Sequence, residues 1–314
     1  MYIFLQSICL ITLFITMFLF PSATFNGAAK GLLLWYNSVL PTLFPFMIIS
    51  TLLINSNTIS LISRILGPVF RRIFHISSSA SFAILGGFLC GYPVGAKITA
   101  ELVHSNKITS NEGSYLVSFC NNTSPIFMLN FVLIKSIKNI ELIIPGMFIH
   151  LFSPILCSYL FYSFYYKKKM VVQTNTDYSR PSTNTHFFEN LDISIMKSID
   201  SIVQVGGYII LFSMLTSLFD TAILSKSILK SFIISLLEIS NGITVISTIF
   251  NSIELKWLTS LFISSFGGLC SIAQTSCMLK NTKIPMKIYT IEKLITATVT
   301  SLLALLYLTI RKNF

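Results

Sequence analysis

Long uncharged apolar runs alternate with short polar clusters along this chain, and the length of each run limits what it can be. Residues 3–20 form one such run, closed by Pro21, and the 33 residues from Gly31 to Ser63 carry no charge at all. Since a helix needs about 20 apolar residues to cross a hydrocarbon core of roughly 30 Å, both predict membrane-spanning helices. The first has no basic residues ahead of it and is followed at once by a second apolar run, which argues against a signal segment. In the second, Pro41 and Pro45 predict bends, Trp35 and Tyr36 suit the membrane interface, and Asn37, Ser38 and Thr42 set polar groups near the bend. Further spans are predicted over 114–134, 142–166 and 198–219, and within the 23 uncharged residues between Lys256 and Lys280.

Two stretches break this pattern. Between Arg72 and Lys97 lie 24 residues without Lys, Arg, Asp or Glu, enough for a span, yet they hold most of GGFLCGYPVGAKITAEL (86–102). Pro93 has no N–H to donate, so the carbonyls near Leu89 and Cys90 lose helical partners. Broken backbone at membrane depth is tolerated only where protein buries it or a wet cavity meets it. Gly87, Gly91 and Gly95 also keep GxxxG spacing, which predicts close helix packing equally well. Lys97 and Glu101, four residues apart, read either as a functional pair or as a marker of the membrane surface. The second stretch is FCNNTSPIF (119–127), where Asn121, Asn122, Thr123 and Ser124 precede Pro125 inside an apolar run. Hydrogen-bond glue at about 0.6–2 kcal/mol a residue explains one or two of these, not four beside a proline. A discontinuous helix with a site near the midplane is the pattern of secondary transporters.

The segments between are more polar. LISRILGPVFRRIF, within 60–75, predicts an amphipathic interfacial helix broken in two at Gly67-Pro68. Thr109 or Ser110 is the expected cap of the helix that follows HSNKITSNEGS. The cluster Lys167–Lys169 marks a cytoplasmic end, and the polar residues 170–192 read as a linker between a membrane half 1–169, with the extra helix 3–20, and a second half 193–314. In that second half 198–219 echoes 31–54, 227–243 echoes 60–76, and 262–279 echoes the Gly-rich segment. Glu238 and Asn241 flank an apolar run there, and Gln274 is the counterpart of the first broken tip. The fold class is therefore an all-α polytopic membrane protein of two transporter-like repeats with Gly/Pro-broken segments and interfacial amphipathic helices. The repeats are inverted if 80–104 is a re-entrant hairpin with Gly91-Tyr92-Pro93 at its tip, which is the preferred reading.

Composition agrees, with 53% hydrophobic and only 11% charged residues. The net charge of +11 lies in clusters between apolar runs, as in loops obeying the positive-inside rule, so a nucleic-acid partner is not expected. Six scattered cysteines show no metal-ligand spacing, and no catalytic motif is present. No cofactor and no enzymatic activity are expected. The candidate site is Gly91, Tyr92, Pro93, Gly95, Lys97, Asn121, Asn122 and Thr123, with Glu238, Asn241 and Gln274 from the second half.

GYPVGAK (91–97), FCNNTSPIF (119–127), LLEISNG (236–242) and SFGGLCSIAQ (265–274) together resemble the YlbJ-type sporulation integral membrane proteins of the stage V sporulation family, within the nucleoside-recognition or gate-domain group. The resemblance runs over nearly the whole chain. It departs at Thr123-Ser124-Pro125, where a Gly or Pro is expected directly after the paired Asn. What it implies is a protein of the mother cell that moves dipicolinic acid across the outer forespore membrane, with two inverted repeats each holding a re-entrant hairpin. A nucleoside or another small anion is the alternative substrate, and a non-transporting structural role the other alternative. Dipicolinate is a flat aromatic dianion, so its site needs hydrogen-bond donors and a ring surface. Lys97 would distinguish it from a nucleoside. The expected partners are a small-molecule substrate and the lipid bilayer, with oligomerisation left open.

Overall fold

The computed structural model describes residues 2–55, 59–169, 187–222 and 228–313, and these residues form helices with no strand among them. Six of the helical runs are long and apolar enough to cross a membrane: Pro21–Asn55, Ser110–Ile137, Ile140–Tyr166, Phe187–Thr221, Ile253–Met278 and Met286–Lys312. The chain is an all-α integral membrane protein. Ahead of these, α1 (Tyr2–Leu19) packs on α2 (Pro21–Leu34) and leaves Phe4, Leu5, Phe14 and Phe18 exposed, as lipid contact requires.

The first span is one continuous helix. Its α2 part widens into a π-helical turn at Trp35–Val39, with the Leu40 N–H donating to the Trp35 carbonyl, and then continues as α3 (Leu40–Asn55) through Pro45. The expected bend thus takes the form of a wide turn just ahead of Pro41. A Cβ on Gly27 would lie 2.8 Å from Met214 Cα, and one on Gly31 2.8 Å from Ile210 Cα. The α2 helix and α10 (Phe187–Ala222) therefore touch backbone to backbone, and only glycine fits there. Because α10 starts at Phe187, the end of the expected linker is helical, while 170–186 lie outside the described residues.

The amphipathic segment forms α4 (Ile59–Phe74), which runs unbroken through Pro68 rather than splitting in two. Ser63, Gly67 and Phe74 face inward, while Leu61, Ile65 and Val69 are exposed on one side and Arg64 and Arg71 on another. That distribution suits a helix lying along a bilayer surface.

Two helical hairpins follow, one in each half. The first joins α5 (Ser81–Cys90) to α6 (Val94–His104) through Gly91-Tyr92-Pro93. A Cβ on Gly95 would lie 3.0 Å from Gly87 Cα, which fixes the arms against each other. The second joins α11 (Ile228–Leu237) to α12 (Ile239–Ile249) through Glu238. Arms of 10 and 11 residues are about 15–16 Å long, half of a hydrocarbon core.

Each hairpin precedes an interrupted helix. In the first half α7 (Ser110–Cys120) stops before Asn121, and the chain resumes as α8 (Pro125–Phe127) and the π-helical Met128–Ile137. Thr109 caps α7, accepting from the Glu112 N–H at 3.2 Å. In the second half α13 (Ile253–Phe266) stops at Gly267 and α14 (Gly268–Met278) follows. An uninterrupted helix then closes each half, α9 (Ile143–Phe161) and α15 (Met286–Asn313).

This element order corrects two of the expected pairings. Residues 228–249 are a hairpin and correspond to 81–104, not to the surface helix at 60–76. Residues 253–278 are an interrupted helix and correspond to 110–137, not to the Gly-rich hairpin. The mixed polarity of 227–243 comes from Glu238 at a hairpin tip, where two short helices meet.

Contacts between chain ends fix which ends lie together. Lys107 Nζ donates to the Ile54 carbonyl at 3.1 Å, Asn111 Nδ2 to the Lys169 carbonyl at 3.1 Å, and Asn55 Nδ2 to Ser194 Oγ at 3.4 Å. At the opposite end Arg311 pairs with Glu141, Trp257 Nε1 donates to the Leu142 carbonyl at 3.2 Å, and Lys230 pairs with Asp220 at 3.0 Å. The first hairpin opens towards the former end and the second towards the latter. Burial lowers the Lys107 ammonium below the ordinary lysine value.

Candidate functional site

Each hairpin tip rests on the interruption of the helix that follows it. Gly91 has φ +76° and ψ −169°, a conformation essentially restricted to glycine, and a Cβ there would lie 2.5 Å from Ser124 N and 2.8 Å from Asn122 O. The Tyr92 N–H donates to the Asn122 carbonyl at 2.7 Å. Gly95, one turn on, brings its Cα face to the Cys120 carbonyl, 3.1 Å from where a Cβ would stand. The glycines serve packing, and what they pack against is the broken backbone. Close packing and broken backbone were alternative readings of these glycines in the sequence, and the structure puts both at one place.

The four polar residues of the interruption meet several elements. Asn121 Oδ1 accepts from the Ala96 N–H at 3.2 Å, and its Nδ2 donates to Thr275 Oγ1 and Tyr289 Oη, both at 2.9 Å. Asn122 Nδ2 donates to the Phe119 carbonyl at 2.5 Å, while its Oδ1 accepts from Lys293 Nζ at 2.6 Å. Thr123 Oγ1 donates to the Ser264 carbonyl at 2.5 Å, and the Thr123 carbonyl pairs with His150 Nε2 at 3.0 Å. Lys293 also donates to the Asn121 carbonyl at 2.9 Å. The backbone carbonyls freed by the interruption are thus met by Lys293 of α15, His150 of α9 and the Tyr92 N–H, while Thr275 of α14 and Tyr289 of α15 hold the Asn121 side chain. Ser124 caps the resumed helix, accepting from the Phe127 N–H at 3.3 Å, which is how this chain accommodates Thr-Ser-Pro after the paired Asn.

The second interruption repeats the scheme with glycine in place of amides. Gly267 and Gly268 have φ +84° and +78°, and a Cβ on Gly268 would lie 3.2 Å from the Leu236 carbonyl at the second hairpin tip. Glu238 at that tip accepts from the N–H groups of Ser240 at 3.0 Å and Asn241 at 2.8 Å, capping α12. Half-buried Tyr92 reaches across from the first tip: its side chain lies beside Thr123, Glu238 and Cys270, and its Cε1 is 3.4 Å from where a Gly267 Cβ would stand. Beside this junction the hydroxyls of Ser264 and Ser265 and the Nδ1 of His150 are buried without a hydrogen-bond partner among the described residues.

Gly91, Tyr92, Pro93, Gly95, Asn121, Asn122, Thr123 and Glu238 therefore converge. Lys97 does not. Its Nζ donates to Ser201 Oγ at 3.0 Å and the Lys197 carbonyl at 3.3 Å and pairs with Glu101 at 3.7 Å, while Glu101 accepts from Thr51 at 2.8 Å, tying α6 to α3 and α10. Asn241 accepts from Lys30 Nζ at 2.6 Å and donates to Thr216 at 3.2 Å, a separate junction of α12 with α2 and α10. Gln274 is buried, donating to Cys270 Sγ at 3.2 Å within α14. Lys293, Tyr289, Thr275 and His150 were not foreseen. One signal was available: Glu292 and Lys293 are an adjacent ionisable pair inside an apolar span.

Residues 37–140 match the family model described as "Gate: Nucleoside recognition". The match takes in the first hairpin and the first interruption. The sporulation integral membrane protein YlbJ of Bacillus subtilis (strain 168) is 27% identical over an alignment of 306 positions that covers 88% of this chain and 75% of that protein. The chain is similar to YlbJ over most of its length. No solved structure matches it. The similarity to YlbJ extends through both halves, whereas the Gate match ends before α9 and leaves His150, Thr275, Tyr289 and Lys293 outside it.

Proposed function

We propose that this chain is a membrane transporter that moves a small solute between the two hairpin tips and the two helix interruptions. The observation that carries this reading is the joint between the interruptions. Thr123 bonds to the Ser264 carbonyl at 2.5 Å and Asn121 to Thr275 at 2.9 Å, with Tyr92 standing between the tips. Interrupted helices meeting near the membrane midplane are how secondary transporters expose backbone groups to a solute.

The halves 1–169 and 193–314 are inverted repeats in this reading, and both hairpins are re-entrant. Arms of half-membrane length support this, as do their openings at opposite ends. With both hairpins re-entrant, Arg71, Arg72, Lys107, Lys167, Lys168, Lys169, Lys280 and Lys283 share one side, facing Lys135, Lys138, Lys256, Arg311 and Lys312 on the other. The richer side is cytoplasmic by the positive-inside rule.

Dipicolinate is the proposed solute and the outer forespore membrane the proposed location, following the YlbJ-type resemblance. The Asn121 and Asn122 amides are spent on the protein, so they hold the tip. The groups left to meet a solute are Ser264, Ser265, His150 Nδ1 and the Tyr92 ring, a flat surface with hydrogen-bonding groups beside it. The Gate match favours a nucleoside as the second reading. Purified protein in liposomes decides between them by flux of radiolabelled dipicolinate and uridine. Dipicolinate flux that unlabelled dipicolinate blocks and uridine does not is the expected result. Uridine flux selects the second reading, and no flux of either above protein-free liposomes contradicts transport.

A further inference from the structure

Where a transporter helix is interrupted, its freed carbonyl groups commonly coordinate a coupling cation. At the first interruption here the Asn121 carbonyl and Asn122 Oδ1 converge on one positive group, Lys293 Nζ, at 2.9 and 2.6 Å. Lys293 is 1% exposed, and no carboxylate lies within salt-bridge distance of it among the described residues. The titratable groups around it are Cys120, Cys157, His150 and the adjacent Glu292. Its direct partners are thus neutral oxygens from the end of a broken helix, the donor set that a bare monovalent cation would take. A lysine ammonium is a compact point charge on a flexible stem, suited to stand in such a place.

We propose that Lys293 supplies from within the chain the positive charge that a free Na⁺ or similar ion supplies at other interrupted helices, so that neither the fold at this break nor solute movement depends on such an ion. The clause on solute movement rests on the transporter reading, while the clause on the fold does not.

The test has two arms. Thermal unfolding of the purified protein is followed in choline, sodium, potassium and ammonium chlorides at equal ionic strength. Wild type is expected to melt at the same temperature in all four. Lys293→Ala vacates the ammonium position, and is expected to melt lower in choline and to regain stability with saturating dependence on ammonium or sodium. Lys293→Met fills the space without charge and is expected to gain nothing from either ion. Saturable stabilisation of wild type by sodium overturns the proposal. So does a Lys293→Ala protein that no small cation restores, including one that cannot be recovered folded with ammonium present.

In the second arm, dipicolinate flux into liposomes is compared in sodium and in choline, and equal rates are expected. A severalfold dependence on sodium overturns the proposal. Absence of flux in every salt contradicts only the transporter reading, and the unfolding arm still decides the rest.

Discussion

The main-chain N–H of Tyr92 donates to the main-chain carbonyl of Asn122 at 2.7 Å, joining the tip of one hairpin to the interruption of the next helix. The interruption needs that donor because α7 ends before Asn121 and its carbonyls have no helical partners. The tip needs that acceptor because Pro93 prevents α5 from continuing. Two defects in regular structure satisfy each other.

Asn121 is expected to be a stability residue. Asn121→Leu leaves the Ala96 N–H and the Thr275 and Tyr289 hydroxyls short of a partner. At about 1–3 kcal/mol for each buried group left unpaired, the variant is expected to melt lower and to reconstitute in lower yield. Thermal unfolding in detergent measures this, and wild-type stability with lost flux would instead make Asn121 a solute ligand.

Sidedness is accessible by cysteine labelling in a cysteine-free background. Ser79→Cys and Ser105→Cys flank the first hairpin, and both are expected to react with an impermeant thiol reagent from the side that labels Lys168→Cys. Lys138→Cys is expected to react from the other side. Labelling of Ser79→Cys and Ser105→Cys from opposite sides would mean that 80–104 crosses the membrane.

Gly31 seats α2 against α10, with Ile210 Cα 2.8 Å from where its Cβ would stand. Gly31→Leu drives a side chain into backbone, an overpacking cost of about 1–3 kcal/mol or more. The expected outcome is a lower melting temperature than for Gly207→Ala, whose added methyl group meets nothing within 4 Å.

Much of this architecture was legible in the chain because helix breakers act locally. Gly91-Tyr92-Pro93 announced a tip and Asn121–Ser124 before Pro125 announced an interruption, since proline removes a donor wherever it stands. The second half was harder to read. Its hairpin turns at Glu238 without glycine or proline, so helices of 10 and 11 residues looked like one surface segment. The companions of the first interruption were illegible for a different reason: Thr275, Tyr289 and Lys293 are more than 150 residues away, and one sequence carries no record of contact. Lys97 stood out in the sequence as an ionisable residue in an apolar setting, and in the structure it meets Ser201 and Glu101, away from the interruption.

If solute movement depends on the seating of the first hairpin tip on the interruption, Gly91→Ala should block it. The added methyl group would lie 2.5 Å from Ser124 N and 2.8 Å from Asn122 O, backbone atoms that cannot turn aside, at a φ of +76° that alanine rarely adopts. The measurement is the initial rate of dipicolinate flux into liposomes at equal amounts of inserted protein, for Gly91→Ala, Gly207→Ala and wild type. At least a tenfold fall is expected for Gly91→Ala, equivalent to about 1.4 kcal/mol, with Gly207→Ala unchanged. Wild-type flux through Gly91→Ala would contradict it.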